Sequence, residues 1–315
     1  MYDLIIIGGG PAGITAAIYA ARKYLKTLLL TKDFQGQIFF SAKIENYPGL
    51  GEISGTELSQ KLKNHLLKFA TKEKNPKSGK VKIKENVIVQ EIKQKNNFFE
   101  VKTKNNNIFA SRAVIVATGA SPRKLKVKGA DNFEGKGVAF CETCDGLFFK
   151  GKNVAVIGGG NAGLEAAEEL AEYVKKVYLF ENQAELPGDS VFIERLKKKV
   201  NVSIITNVEI KEIKGKALVE KIRYFDKKDN NEKEKEISGI FVKIGQIPNS
   251  NFTEKFLKLN KKGEIIVDPK TLQTSKKGVF AAGDVSDVLQ KQYIIAAGEG
   301  AKATMAVYDF LKNKK

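Results

Sequence analysis

DLIIIGGGPAGITAAIYAARK, Asp3 to Lys23, sets an apolar run before three glycines spaced Gly8-x-Gly10-x-x-Gly13 and an alanine-rich stretch. The run does not alternate polar and apolar residues, as expected of a parallel strand covered on both faces. In G-x-G-x-x-G after a strand, the glycines permit a tight turn, a close backbone approach to pyrophosphate, and close packing of helix on strand. The helix then presents free amides to negative charge. NVAVIGGGNAGLEAAEELAEY, Asn153 to Tyr173, repeats the plan with Gly158, Gly160 and Gly163. A single such turn can be mere helix packing. Two in matched strand–turn–helix settings point to two dinucleotides, most simply a flavin and a nicotinamide, and to two domains of similar plan.

Outward from these turns the chain has a globular composition. It has 315 residues, 42% apolar and 29% charged, which excludes disordered and fibrous classes. The longest membrane-span candidate, Leu4 to Ala21, is broken by Gly8, Gly9, Gly10, Pro11 and Gly13, and Asp3 sits where a signal peptide carries positive charge. The expectation is a soluble, cytoplasmic protein. Two cysteines do not make a secreted disulfide framework, and with His65 as the sole histidine no metal is expected. Net charge is +18, but the arginines are only Arg22, Arg112, Arg123, Arg195 and Arg223. Without forked phosphate binders a nucleic-acid reader is disfavoured; the lysines read as a solvated surface, with attraction of an acidic partner as the alternative.

Between the repeats, Lys80 to Val101 alternates like strands with one wet face, and Arg112 to Thr118 reads as a buried strand. Lys216 to Ile237 reads as a hairpin around a charged loop, KKDNNEKEKE, and Gly239 to Ile244 as another strand. GVFAA from Gly278 is a strand, and a helix is expected from about Ala296 to Phe310. His65 belongs to an amphipathic helix, and Phe34, Phe39 and Phe40 read as core or groove residues. No Pro/Ser-rich linker divides the chain, which favours one domain inserted in the other.

Past the second turn, the strand VKKVYLF ends at Glu181, and Glu181 to Ser190 contains no lysine or arginine. An acid there suits the ribose hydroxyls of NADH, whereas the 2′-phosphate of NADPH would meet like charge. Cys141 and Cys144 form CETCDG. Zinc would need four ligands, which are lacking. Inert buried thiols remain an alternative to a dithiol/disulfide couple, in which one thiolate attacks and the second resolves. Asp145 is placed either to exchange a proton with that thiolate or to cap the turn.

The chain resembles the low-molecular-weight thioredoxin reductases along essentially its whole length. GGGPAG (with Pro11 and Ala12), Gly36-Gln37, ENYPG from Glu45 to Gly49, ATGA from Ala117 to Ala120 (with Thr118 and Gly119), CETCDG, GGGNAG (with Asn161 and Ala162) and GVFAAGD from Gly278 to Asp284 carry the likeness. The resemblance implies an α/β fold of two Rossmann-like domains, the second inserted in the first. Residues 1–116 and 247–315 would bind FAD; residues 117–246 would bind NAD(P)H and carry the cysteines. It also implies that Gln37 and Asn46 lie near the flavin and that Gly283-Asp284 meets the ribityl chain. The helix after Lys291-Gln292 would direct its N-terminus at the flavin ring. Cys144 would face the flavin, Cys141 would attack the partner, and Asp145 would handle the proton. A homodimer, a large inter-domain rotation and a small thioredoxin-like or glutaredoxin-like partner are implied as well.

NADPH-dependent members carry a His-Arg-Arg motif where this chain has Glu181 to Glu185. From GGGNAG onward the chain is more similar to the NADH-using flavoprotein component of alkyl hydroperoxide reductase, through GIFVKIGQIPN and KQYIIAAGEGAKA. That component has a further thioredoxin-like module before the FAD turn, expected to be absent because the turn here begins at residue 8. The reading is therefore an FAD-dependent disulfide reductase using NADH, with NADPH as the disfavoured alternative. A peroxiredoxin-linked reductase, a flavin NADH oxidase, a ferredoxin-linked reductase and, remotely, a basic nucleic-acid-binding module are the rivals.

Overall fold

A computed structural model describes residues 1–40, 44, 46–73 and 79–312; the side chains of Phe39, Phe40, Thr143 and Cys144 fall outside the description. The chain divides into two units, Met1–Ser121 with Ile247–Lys315, and Pro122–Gln246. The first crossing lies at 121/122, not at the expected 116/117. The reason is local: Thr118 donates its Oγ1–H to the Asn249 carbonyl at 2.7 Å, and Ser121 bonds the Asn249 side chain at 2.8 Å. Both tie the stretch after residue 116 to the first unit.

In the first unit, Tyr2–Ile7 lies inside an eight-stranded sheet, parallel to Thr27–Leu30 on one side and to Ile108–Val116 on the other. Val81–Lys84 continues the parallel part beyond Thr27–Leu30, and Val279–Ala281 pairs in parallel with Ile108–Val116. Phe98–Thr103 and Val89–Lys95 extend it antiparallel, with the wet-faced alternation expected of them. Leu4, Ile5 and Ile6 are fully buried, because helices cover the faces of a parallel sheet and leave no polar side. Helix Pro11–Arg22 covers it, and helix Tyr293–Lys312 packs along that one and also meets the strands Ile108–Val116 and Val279–Ala281. The fit is close: a Cβ on Gly300 would lie 2.1 Å from the Ala12 carbonyl oxygen, and Thr304 donates its hydroxyl to the Ala16 carbonyl at 3.1 Å. The long helix begins three residues before the expected Ala296, at Tyr293.

The second unit repeats the architecture in five parallel strands, in the order Val202–Ile205, Lys176–Phe180, Asn153–Ile157, Gly239–Val242, Val138–Ala139. Helix Asn161–Leu170 follows its glycine turn and buries Gly163, Leu164, Ala166, Ala167 and Leu170, one face at helical spacing. An antiparallel meander of Val208–Gly215, Val219–Asp226 and Asn231–Glu236 is added. The charged run expected to be a loop is thus half strand: NEKEKE pairs with Val219–Asp226, and only residues 227–230 turn. Alternating Glu and Lys serve this edge because their charges pair across the ladder, as Arg223 does with Glu232 at 2.8 Å.

Candidate functional site

The two glycine turns share their backbone. Gly8 and Gly158 have φ of +118° and +113°, the region that favours glycine. A Cβ would lie 2.1 Å from the Ala117 oxygen at Gly8 and 2.3 Å from the Lys243 oxygen at Gly158. Gly13 and Gly163 likewise leave no room, since their Cβ positions fall 1.9 and 1.8 Å from the Gly8 and Gly158 oxygens. A Cβ on Gly10 or Gly160, by contrast, would meet nothing within 4 Å beyond its own helix and chain neighbours. Both glycines are N-caps with no side-chain hydrogen bond, so Pro11, Ala12, Asn161 and Ala162 open helices whose first turns are left uncapped. Each turn is tight where chain packs on chain and open where an anion would sit. That combination fits a dinucleotide pyrophosphate.

In the first unit Gly283, and through it Asp284 and Gln37, lie by this turn. Gly283 packs on Ala12, with a would-be Cβ 3.2 Å from the Ala12 Cβ. Gln37 donates its Nε2–H to the Ala120 carbonyl at 2.9 Å and to Asp284 at 3.4 Å, next to Gly119. Burial pushes the Asp284 carboxyl above its ordinary range, while the Lys291 ammonium draws it back. Asn46 donates to Gln292 at 3.0 Å. Lys291 turns away, to the Ser286 carbonyl and to Glu264 at 3.2 Å. Gly36 takes φ +51° in open space before Gln37. Glu45 of the ENYPG motif lies outside the described residues.

Sequence reasoning missed Glu299 on the long helix. It is 8% exposed, and its Oε2 accepts the Gly283 N–H at 2.6 Å. Its only trace in the sequence is an acid placed between glycines, GEG, after the apolar start YIIAA of that helix.

In the second unit Glu181 stands at the strand end, as expected, but turned inward. It is 8% exposed, and its oxygens accept the Gly159 N–H at 2.7 Å and the Gln183 N–H at 2.9 Å. The 182–189 loop folds back on the turn, where Gly188 N–H meets the Gly159 oxygen at 3.1 Å and Asn161 exchanges hydrogen bonds with Asp189. The loop holds no cation of its own, yet the fold supplies one: Lys227, from the hairpin turn, donates to the Asn182 carbonyl at 2.9 Å.

Cys141 is disulfide-bonded and opens the redox turn, a helix over Glu142–Asp145. Cys144 lies in that helix, its side chain outside the described residues. Burial raises the Asp145 carboxyl above its usual range, which favours a protonated form. The Tyr173 hydroxyl sits where a Cβ on Gly146 would be, 2.2 Å away. Burial, then the Glu169 and Glu142 carboxylates, push that phenol up to about 12, so it stays neutral. Leu147 and Phe148 follow the turn, both exposed. Among the described residues no cluster of His, Cys, Asp and Glu could hold a metal, and no helix is long and apolar enough to cross a membrane.

Residues 2–302 match the family model described as pyridine nucleotide-disulphide oxidoreductase. The chain is 42% identical over 315 residues to an alkyl hydroperoxide reductase component of Escherichia coli (strain K12), covering 100% of this chain and 59% of that protein. It is 40% identical over 310 residues to a Bacillus subtilis (strain 168) protein named NADH dehydrogenase, covering 98% of this chain and 58% of the relative. The chain thus spans about three-fifths of these relatives. Among solved structures, thioredoxin reductase of Lactococcus lactis superposes with a TM-score of 0.90 at 33% identity, covering 99% of this chain and all of that one. The chain belongs to the pyridine nucleotide-disulphide oxidoreductase family, as a thioredoxin reductase-like flavoprotein oxidoreductase.

Proposed function

We propose that this chain is an FAD-dependent disulfide reductase that takes electrons from NADH in preference to NADPH and delivers them through Cys141 and Cys144 to a small thioredoxin-like protein. The observation that carries the reading is the pairing of two open glycine cradles with a disulfide at Cys141 in one chain. FAD, when bound, supplies a carrier that accepts a hydride's two electrons and yields them to a disulfide. The residues supply the rest. Gly8, Gly10 and Gly13 with the Pro11–Arg22 helix would hold its pyrophosphate, and Asp284, steadied by Gln37, would take a sugar hydroxyl. Gly158, Gly160 and Gly163 would hold the pyridine nucleotide, with Glu181 at its ribose.

Once the turn is reduced, the Cys141 thiolate attacks one sulfur of the partner disulfide, and the other leaves as thiolate. The Cys144 thiol then resolves the mixed disulfide, which re-forms the intramolecular bond. Asp145, its proton affinity raised by burial, suits giving and taking the proton. Exposed Leu147 and Phe148 beside the turn favour a protein partner, which would bury them.

The alkyl hydroperoxide reductase relative favours a peroxiredoxin-linked partner, and the relative named NADH dehydrogenase favours a flavin oxidase that bypasses the cysteines. Anaerobic titration of the purified flavoprotein with NADH and NADPH side by side tests the nucleotide choice, and bleaching by NADPH at equal or lower concentration overturns it. Cys141→Ser should abolish disulfide reduction while flavin reduction by NADH persists. If oxygen-dependent NADH oxidation is the main turnover and survives that change intact, the oxidase reading stands instead.

A further inference from the structure

Lys243 follows the strand Gly239–Val242 and does two things at once. Its backbone oxygen and Cβ form the wall against which Gly158 and Gly163 pack. Its ammonium forms an ion pair with Glu142, the residue after Cys141, and each side chain is only 15% exposed. Glu142 Oε2 is buried and accepts no aligned hydrogen bond, so charge alone compensates it, and an uncompensated buried carboxylate is costly. Among the described residues, the other ionisable groups coupled to the pair are acids and a neutral phenol. Glu165 on helix Asn161–Leu170 feels both Glu142 and Lys243 and is raised above its usual range chiefly by burial. Glu169 and Tyr173 lie on the same side, and Asp145 on the redox turn itself. Lys243 is the cation in this group.

We propose that Lys243 is a positioning residue for the redox turn: its ammonium neutralises Glu142 beside Cys141 and fastens that turn to the second glycine turn, so that the Cys141 thiolate forms at lower pH than Glu142 alone would allow. Reduction of the disulfide breaks one S–S bond with two electrons. One sulfur keeps a proton as thiol, and the other is left as thiolate wherever its charge is compensated. A negative neighbour stripped of its cation opposes that thiolate; a cation stripped of its carboxylate favours it.

The inference rests on reading Cys141 as redox-active. Its test needs neither nucleotide nor partner, so its failure and the failure of that reading are separable. The full-chain holoenzyme is reduced with excess dithiothreitol, which is oxidised to its cyclic disulfide, and is then desalted anaerobically. It is pulsed with iodoacetamide between about pH 5 and pH 9, and peptide mapping reads modification at Cys141. Lys243→Met should slow alkylation near neutral pH by about tenfold, the change in thiolate fraction that one pKa unit carries. Glu142→Gln should speed it, and the double variant should return to within about twofold of the parent. Shifts of the two single variants in the same direction, or no shift in either, overturn the proposal. Should Lys243→Met fail to fold, Lys243→Arg must keep the parent profile and Glu142→Gln must still accelerate; failure of either overturns it.

Discussion

Gly13 and Gly163 hold the same place in two turns of almost identical backbone, yet the helices they open are unlike. Helix Pro11–Arg22 buries eight of its twelve residues, because Tyr293–Lys312 packs along its length. Helix Asn161–Leu170 buries five of ten and turns Glu165, Glu168 and Glu169 away from that face. On the proposed reading the turn holds a pyrophosphate, and what surrounds the turn decides how the ligand is kept. A cradle flanked by a second helix, packed against Ala12 and Ala16, suits a cofactor that stays. A cradle whose helix start stands exposed, as Asn161 and Ala162 do, suits a nucleotide that binds and leaves on every cycle.

The largest expected effect breaks one cradle at a time. An added methyl at Gly13 or Gly163 must displace a carbonyl oxygen, an overlap costing on the order of 3 kcal/mol, or roughly a hundredfold in ligand affinity. Gly13→Ala should be isolated without the visible flavin spectrum. Gly163→Ala should keep that spectrum and lose reduction by NADH. Equal flavin loss in both would erase the distinction between resident and exchanging ligand.

A smaller effect sharpens the choice of nucleotide at the second cradle. Glu181 gives its carboxylate to two backbone amides, so Glu181→Gln should weaken NADH binding by about tenfold, the loss of one charge-assisted hydrogen bond. Lys227 is exposed and reaches the loop from the hairpin turn. Lys227→Met should weaken NADPH by at most about fivefold, the worth of an exposed charge pair, and leave NADH unchanged. Calorimetric titration of both nucleotides against both variants checks this. If Lys227→Met leaves NADPH affinity intact, the cation plays no part in holding a 2′-phosphate.

Lys227 also marks where the sequence stops being legible. Both strand–glycine–helix units, the redox pair and the acid at residue 181 lie within short windows, and local spacing announces them. The fold class and the family followed from those windows. Lys227 and Asn182 are far apart in the chain, as are Glu142 and Lys243, and no periodicity predicts that a hairpin or a strand end will bring them together. KKDNNEKEKE was misjudged for the related reason that a charged run looks like a loop until a partner strand pairs its charges. Glu299 was hidden because its partner is a backbone amide, which every residue but proline owns.

Glu299 gives the last and smallest prediction, and the two cradles supply its control. Each has a buried carboxylate accepting a glycine amide, Glu299 from Gly283 at 2.6 Å and Glu181 from Gly159 at 2.7 Å. For Glu299, burial first and the nearby Asp284 carboxylate push the carboxyl above its ordinary value, while the Gly283 amide, Lys291 and Lys302 oppose the rise. A carboxyl raised on folding contributes stability that is fully present below the ordinary value of 4.5 and is lost as pH climbs through the raised one. Glu299→Gln keeps an acceptor for the Gly283 amide and removes the charge. Melting of the holoprotein should therefore rise at pH 7, by about 1–2 °C for each ~1 kcal/mol gained in a chain of 315 residues, and the difference should vanish at about pH 4. If Glu299→Gln instead melts lower at pH 7, the Gly283 amide needs a full negative charge, and the acid is ionised in the fold despite its burial.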